Sequence, residues 1–530
     1  MAFTFQIHDN IRFERDEELL RKAEEYRSAM RYQKVLPTRI VELTEDITAL
    51  HQCGVKACAK DIKNLSGYGM KRDDVMILDF EEHIVGQFFI QADAIGSPMD
   101  APLYVRFRFA ETPAELCSDS SGYDGWLSKS WIQEEYVHQD ELPVVIALPR
   151  RYSFRYVEIK VMDTSPKWKV VFHDAYAIAS NAVDETALPK LEVADDLLQR
   201  IYDTSVKTLA DCMQDVFEDG PKRDRRLWLG DLRLQALSNY ATFDHVDLVK
   251  RCLYLFAAQP CTDGRISANV FVRPKIRPDD TFLFDYSLFF ISVLYDYLMA
   301  HEDTELFHDI YPVAKRAMDV ALHDVKQGKL ELTEEYPVFI DWSNEFDKDT
   351  AGQAVMICVL KQFIYLAEKH NDRELEYYKK MLESMKTYAL EEFYDKERHL
   401  FVSGEKREIN IASQVWMTLA GVLDAEGACD LMSRSVKELF PVKGIATPYM
   451  YHHIVEALFI AGLDDEAIKL MKSYWGAMLE LGADTFWEAF DPDMPDYSPY
   501  GDPIMSSYCH AWSCTPAYLI PRYVQKCKGR

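Results

Sequence analysis

Asp224 and Glu488 are carboxylates set among charged and aromatic side chains, surroundings that suit acid–base chemistry. Asp224 lies in the segment Asp219-Gly220-Pro221-Lys222-Arg223-Asp224-Arg225-Arg226-Leu227-Trp228-Leu229-Gly230-Asp231, which packs three carboxylates, four basic side chains and a tryptophan together. Gly220-Pro221 forbids helix at its start, because proline lacks an amide proton and restricts the residue before it. Helix-patterned sequence lies on both sides, so the segment reads as a loop on a rigid scaffold, where chemistry tends to sit. A Trp ring stacks on sugar C–H groups while charged groups bond the hydroxyls. A self-paired, solvated charge cluster is the competing interpretation; the Trp and the Gly-Pro break weigh against it.

Three further segments share this character: Phe339-Ile340-Asp341-Trp342-Ser343-Asn344-Glu345, Asp484-Thr485-Phe486-Trp487-Glu488-Ala489-Phe490 and Ser506-Ser507-Tyr508-Cys509-His510-Ala511-Trp512-Ser513. Each puts Trp close to a carboxylate or a His. One such neighbour pair is usually structural, but four in one region point to a cleft lined by rings and acids. Glycosidases need two carboxyls flanking the scissile bond, one protonated and one ionised. Asp224 and Glu488, on well-separated segments, meet that requirement. His452-His453 lies in an apolar stretch, and packing or hydrogen bonding explains it better than metal ligation. No HExxH, zinc-ribbon or EF-hand spacing occurs, so neither a metal nor a cofactor is expected.

Composition narrows the partners. With 60 basic against 87 acidic residues the net charge is −27, which argues against nucleic acid and anionic membranes. The first ten residues lack a basic start followed by an apolar run, so no export signal is expected. No apolar run approaches the ~20 residues that span a bilayer. The 11 cysteines are odd in number and scattered without a CxxC pair, a pattern that suits a reducing compartment better than a disulfide framework.

The elements that must position these segments change character near residue 190. Residues 37–180 are strand-like: Val75–Phe80, Gly86–Gln91, Leu103–Phe109, Pro143–Leu148, Tyr156–Val161 and Lys169–His173 read as short strands. Tyr104, Arg106 and Arg108 alternate with Val105, Phe107 and Phe109, the period of a half-buried strand. Several such strands indicate a β-sandwich. After Pro189 the period becomes helical. Tyr286, Phe289, Phe290, Val293, Leu294, Tyr297 and Leu298 form a wide apolar stripe, with similar patterns near 193–217, 232–257, 305–327, 351–369, 373–394, 410–423, 447–461, 465–481 and 509–525. Many helical hairpins with polar-aromatic loops between them favour a closed α/α barrel sharing one cleft. The expected organisation is a leader over 1–36, a β-sandwich over 37–185 and a barrel over 186–530. With no Gly-, Ser- or Pro-rich linker between sandwich and barrel, the two should not hinge freely.

The Asp219–Asp231 segment, Thr485-Phe486-Trp487-Glu488 and the Ser506–Ser513 segment, in that order, resemble the α-L-rhamnosidases of glycoside hydrolase family 78. Ile77-Leu78-Asp79-Phe80 with Val85-Gly86 is similar to the family's sandwich strands, and Thr447-Pro448-Tyr449-Met450-Tyr451 to a late barrel helix. The resemblance implies an N-terminal β-sandwich followed by an (α/α)6 barrel, an inverting mechanism and no catalytic metal. The family's pattern is Asp, then Arg-Asp-Glu-Arg, then Gly-Trp-x-Gly-Asp. Asp219, Arg223, Asp224, Arg226, Trp228, Gly230 and Asp231 match it, but Arg225 stands where the acid Glu would be. Asp224 is the nearest carboxylate and takes that place; Glu488 matches the general base. Arg223 and Arg225 would lower the pKa of Asp224, whereas an acid needs it raised; were Asp224 ionised and exposed, Asp219 or Asp231 would be the better acid.

The expected reaction is release of terminal α-L-rhamnose from a small glycoside or oligosaccharide. Trp228, Trp342 and Trp487 are candidates to pack on the sugar; Asp219, Arg223, Asp231, Asp341 and His510 are candidates for its hydroxyls. Another α/α-barrel glycosidase, or a carbohydrate-binding protein that has lost activity, are the alternatives. The sandwich is expected to be structural support rather than part of sugar binding, and the location cytoplasmic.

Overall fold

The computed structural model describes residues 10–188 and 190–525. Residues 1–9 of the expected leader, and Pro189 at the expected change of periodicity, lie outside them.

Nine strands form the N-terminal part: β1 (Arg31–Val35), β2 (Arg39–Glu45), β3 (Cys53–Ala57), β4 (Val75–Gly96), β5 (Leu103–Ala110), β6 (Glu134–Gln139), β7 (Val144–Ala147), β8 (Tyr152–Asp163) and β9 (Trp168–Asn181). All pairings are antiparallel, and β4 serves two layers. Its first half pairs with β2 and β8, and its second half with β7 and β9. The ladder to β8 shifts register between Asp79 and Ile84. Met76 and Leu78 from the first half and Phe88, Ile90 and Ala92 from the second share one buried core, as a sandwich requires. The alternation read in β5 holds, with Val105 and Phe107 fully buried. Arg108 departs from it: it is buried and donates to the carbonyls of Glu115 and Ser118. Residues 31–35 of the leader join the sheet through β1, which pairs with β9.

Fourteen α-helices are described. α1 (Glu17–Glu25) lies in the leader and packs on the helical part against α5; α2 (Pro113–Cys117) is a short turn in the sandwich. The others are α3 (Asp196–Cys212), α4 (Leu229–Tyr240), α5 (Val246–Ala257), α6 (Phe284–Ala300), α7 (Thr304–His323), α8 (Asp349–His370), α9 (Leu375–Tyr388), α10 (Ile411–Ala420), α11 (Ala425–Leu439), α12 (Pro448–Ile460), α13 (Asp464–Glu480) and α14 (Pro516–Leu519). Neighbour contacts run α4–α6–α8–α10–α12, and the segment from Ala511 through α14 returns to α4 and closes the ring. α5, α7, α9, α11, α13 and α3 lie outside it.

Sequence separates the two rings. α6, α8, α10 and α12 are apolar on nearly every face and buried accordingly, whereas α7 and α11 bury only one stripe. α8 is the one described helix long and apolar enough to cross a membrane, contrary to the expectation that no run comes close; it is packed between α6, α9 and α10. Two helix boundaries also differ from expectation. The 232–257 pattern is two helices, broken where Asp244 takes a positive φ of 48° and His245 caps α5. α11, absent from the expected set, buries only Ala428, Leu431, Met432 and Ser435, a stripe too narrow to stand out.

Cys53 and Cys117 are bonded as a disulfide within the sandwich, a correction to the expectation of unpaired thiols. Spacing could not reveal a partner 64 positions away.

Candidate active site

The inner helices α4 and α6 present their N-terminal ends to a cavity of about 610 Å³. Eight of the ten residues singled out in the sequence line it: Asp219, Arg223, Asp224, Trp228, Asp231, Trp342, Glu488 and His510.

The loop before α4 is held open by specific contacts. Asp219 Oδ1 accepts the Arg226 amide at 2.9 Å, which closes the turn on itself. Asp224 and Arg225 take left-handed φ values of 58° and 54°, so the chain reverses at the acid. Lys222 is buried and donates to Glu115 Oε2 at 2.5 Å and to the Ser506 carbonyl at 2.7 Å. Gly220 is set against the 506–510 segment, where a Cβ would lie 3.0 Å from Ser507 Oγ. Arg225 turns away from the cavity and donates to the Arg151 carbonyl at 2.9 Å, so it does not replace an acid there.

Arg223 stands between the two candidate acids. Its Nη2 pairs with Glu488 Oε2, its Nη1 lies 3.8 Å from Asp224 Oδ1, and its Nε donates to the Met505 carbonyl at 2.8 Å. The Tyr500 hydroxyl donates to Glu488 Oε1, and the Arg223 guanidinium stacks 3.9 Å from the centre of the Tyr500 ring. The Glu488 backbone is fixed as well: its amide donates to Ser507 O at 3.0 Å, and its carbonyl accepts Trp512 Nε1 at 2.9 Å.

Burial governs the charges. It raises the pKa of Glu488, while Arg223 and Tyr500 favour the ionised form. Burial, then the neighbouring Asp224 and Asp231, lift Asp219 well above the carboxylate range. Burial, then Glu488, does the same for Asp231. Burial, with Arg223 nearby, pushes His510 well below 6.5, so its ring is neutral. Asp231 Oδ1 and His510 Nδ1 are 3.5 Å apart, and neither has a hydrogen-bond partner. Buried polar atoms without partners at a cavity wall are ready to bond hydroxyl groups.

Two expectations need correction, since Asp341 and Trp487 do not line the cavity. Asp341 is buried and holds its own loop: it accepts the amides of Ser343 and Ala446 and the Thr447 hydroxyl. Trp487 is buried beside Glu488 but does not share its cavity. It packs edge-on against Phe490 and Tyr508 instead. Tyr500, Phe271, Asp279 and Tyr286 line the cavity although nothing in their local sequence marked them. Trp126 and Trp131 also line it from the sandwich.

His83, Asp211 and Cys509 bring potential metal-ligand atoms within 4.8 Å of one another. His83 Nδ1 and Asp211 Oδ2 are hydrogen-bonded at 2.7 Å, and none of the three lines the cavity.

A closed ring of helical hairpins, with acids from distant segments meeting at one mouth, defines a glycoside hydrolase of the six-hairpin class. Residues 187–524 match the bacterial α-L-rhamnosidase six-hairpin glycosidase domain, and residues 37–179 match the glycosyl hydrolase family 78 α-rhamnosidase N-terminal domain. The chain belongs to the family 78 α-L-rhamnosidases. It is similar over 97% of its length to 99% of a rhamnosidase from Klebsiella oxytoca solved with rhamnose bound, at 43% identity and a TM-score of 0.94. A family 78 rhamnosidase of Bacillus sp. GL1, at 20% identity and a TM-score of 0.70, shares the fold across 84% of this chain and 46% of its own. An α-L-rhamnosidase from Formosa agariphila is 32% identical over 96 residues, 18% of this chain and only 10% of that protein's length.

Proposed function

We propose that this protein hydrolyses terminal α-linked L-rhamnose from small glycosides with inversion at the anomeric carbon. The observation that carries the reading is that Arg223 pairs with Glu488 and lies 3.8 Å from Asp224, all three lining one cavity. Asp224 protonates the glycosidic oxygen as the bond to the anomeric carbon breaks. Glu488 takes a proton from the water that attacks the opposite face, and that oxygen stays on the sugar. Asp224 serves as the acid because Asp219 is tied to the Arg226 amide and Asp231 sits toward His510. Asp219 and Asp231, held protonated by burial, donate to sugar hydroxyls, and Trp228 and Trp342 pack on the ring and its methyl group. The match to a protein solved with rhamnose bound supports the sugar.

Proton NMR of the first product formed tests the stereochemistry: the β-anomer is expected, and the α-anomer overturns inversion. Glu488→Gln keeps the shape and removes the base, so kcat falls by about a thousandfold or more while the protein stays folded. Undiminished rhamnoside hydrolysis by that variant overturns the role of Glu488. A cytoplasmic location belongs to this reading, and cell fractionation tests it. Recovery from the medium, which the Cys53–Cys117 bond would suit, overturns that part.

A further inference from the structure

Lys222 and Arg223 are consecutive, both are buried, and they grip consecutive carbonyls of one other segment. Lys222 donates to Ser506 O at 2.7 Å, and Arg223 Nε donates to Met505 O at 2.8 Å. The next carbonyl along, Ser507 O, accepts the Glu488 amide at 3.0 Å. The 505–507 segment therefore anchors the Arg223 side chain and the Glu488 backbone together. A buried ammonium stays in such a place only if a counter-charge meets it. Here the counter-charge comes from the sandwich: Glu115 Oε2 on α2 lies 2.5 Å from Lys222 Nζ. Glu111 Oε2 lies farther off, at 4.0 Å, and already accepts the Tyr508 amide. Glu115 is itself fixed. Its Oε1 caps α2 by accepting the amides of Glu111 at 2.7 Å and Thr112 at 3.1 Å, and its carbonyl accepts from Arg108 of β5 at 2.7 Å.

We infer that Glu115 is a positioning residue for the hydrolysis: from the sandwich it holds Lys222, and through Lys222 it sets Arg223 against Glu488. The inference rests on the proposed rhamnosidase reaction, in which Arg223 stands between the base and the acid. Neither Glu115 nor Lys222 lines the cavity, so neither touches the sugar. Their effect reaches the chemistry through the backbone that Lys222 shares with Arg223 and through the 505–507 segment that both cations clamp. Misplacing a group at the reacting centre by a fraction of its length is enough to slow the chemical step.

Glu115→Gln keeps the length of the side chain and removes its charge. On an activated aryl α-L-rhamnoside, kcat is expected to fall about tenfold or more while KM changes less than about twofold, because ring contacts in the cavity are untouched. The deciding measurement places the same change in an Arg223→Gln background. If Glu115 acts through Arg223, adding Glu115→Gln there lowers kcat less than about twofold further. A purely structural ion pair would give losses that multiply, and that result overturns the positioning role. An unchanged kcat in folded Glu115→Gln overturns it too. Should Glu115→Gln fail to fold, Lys222→Met, which removes the ammonium and keeps its apolar stem, reads the same coupling to Arg223 from the other end. Failure of the unaltered protein to cleave any α-L-rhamnoside overturns the proposed reaction and the positioning role with it.

Discussion

Glu488 is a carboxylate held between opposing influences. Burial favours its neutral form, and the Tyr500 hydroxyl and Arg223 favour the ionised one. The net shift is upward, so a base at this position loses its function at a higher pH than an ordinary carboxylate would. The acid limb of kcat/KM is therefore expected above the usual Glu value of about 4.3. Tyr500→Phe removes a donor that favours ionisation, so the limb should move further up in pH. A pH–rate profile of the variant checks this, and a limb that moves down or stays in place refutes the role of Tyr500. Tyr500 also shows what the sequence hid. It lies in a Pro-, Asp- and Tyr-rich loop without a motif, and only the fold brings its hydroxyl to Glu488. Trp487 shows the reverse, since adjacency to the acid made it conspicuous while its ring packs on Phe490 and Tyr508 instead.

Helix α4 is the element that carries most of the site, with Trp228 at its N-cap and Asp231 in its first turn. Its entry depends on Gly230, where a Cβ would overlap the ring of Tyr286 on α6. Gly230→Ala forces α4 and α6 apart or turns the ring, an overpacking cost of about 1–3 kcal/mol. Denaturant unfolding should show that loss. Activity should fall with it, because Tyr286 and Trp228 line the same cavity and their rings meet edge to face at 6.2 Å. Unchanged stability would mean that the ring moves aside freely. The helical period of α4 was legible in the sequence. The need for Gly230 was not, because its partner comes from another hairpin.

At the scale of the whole molecule, the sandwich and barrel are joined by buried charge. His83 on β4 bonds Asp211 at the end of α3 at 2.7 Å and Glu111 at 3.2 Å, and Ser153 bonds the same Glu111 at 2.7 Å. Glu111 in turn accepts the Tyr508 amide at 2.7 Å, and Lys222 of the 219–231 segment reaches Glu115. Arg155 ties Asp79 of the sandwich to Asp484, four positions before Glu488. Burial works against a charged His83, but the Cys509 sulfur, Asp211 and Glu111 outweigh it and hold its pKa well above 6.5. A raised folded-state pKa contributes stability that is fully present below the unfolded value, about 6.5 for His, and is lost as pH rises through the folded value. His83→Gln leaves buried carboxylates without their cation, at a cost of about 3–5 kcal/mol. Thermal melts across pH should show that deficit at its largest below about pH 6.5 and shrinking as pH rises through the neutral range and beyond. A deficit that grows with pH would assign the wrong charge to His83.

The periods of two and 3.6 residues were enough to separate a sheet-rich N-terminal part from a ring of helices, because each period reports which face of an element is buried. The residue types of Asp219–Asp231, Trp487-Glu488 and Ser506–Ser513 were enough to mark a cleft, because few other chemistries need acids and rings so close together. Tertiary structure decided the rest. It turned Trp487 and Asp341 inward, brought Tyr500 to Glu488, set Arg223 between the two acids, and carried Trp126 and Trp131 from the sandwich into the cavity. Several of those placements depend on contacts between distant residues, as Arg223 with Glu488 and Asp341 with Thr447. Local pattern records the burial of a side chain, but the partner it meets is fixed only when the ring of helices closes and the sandwich docks on it.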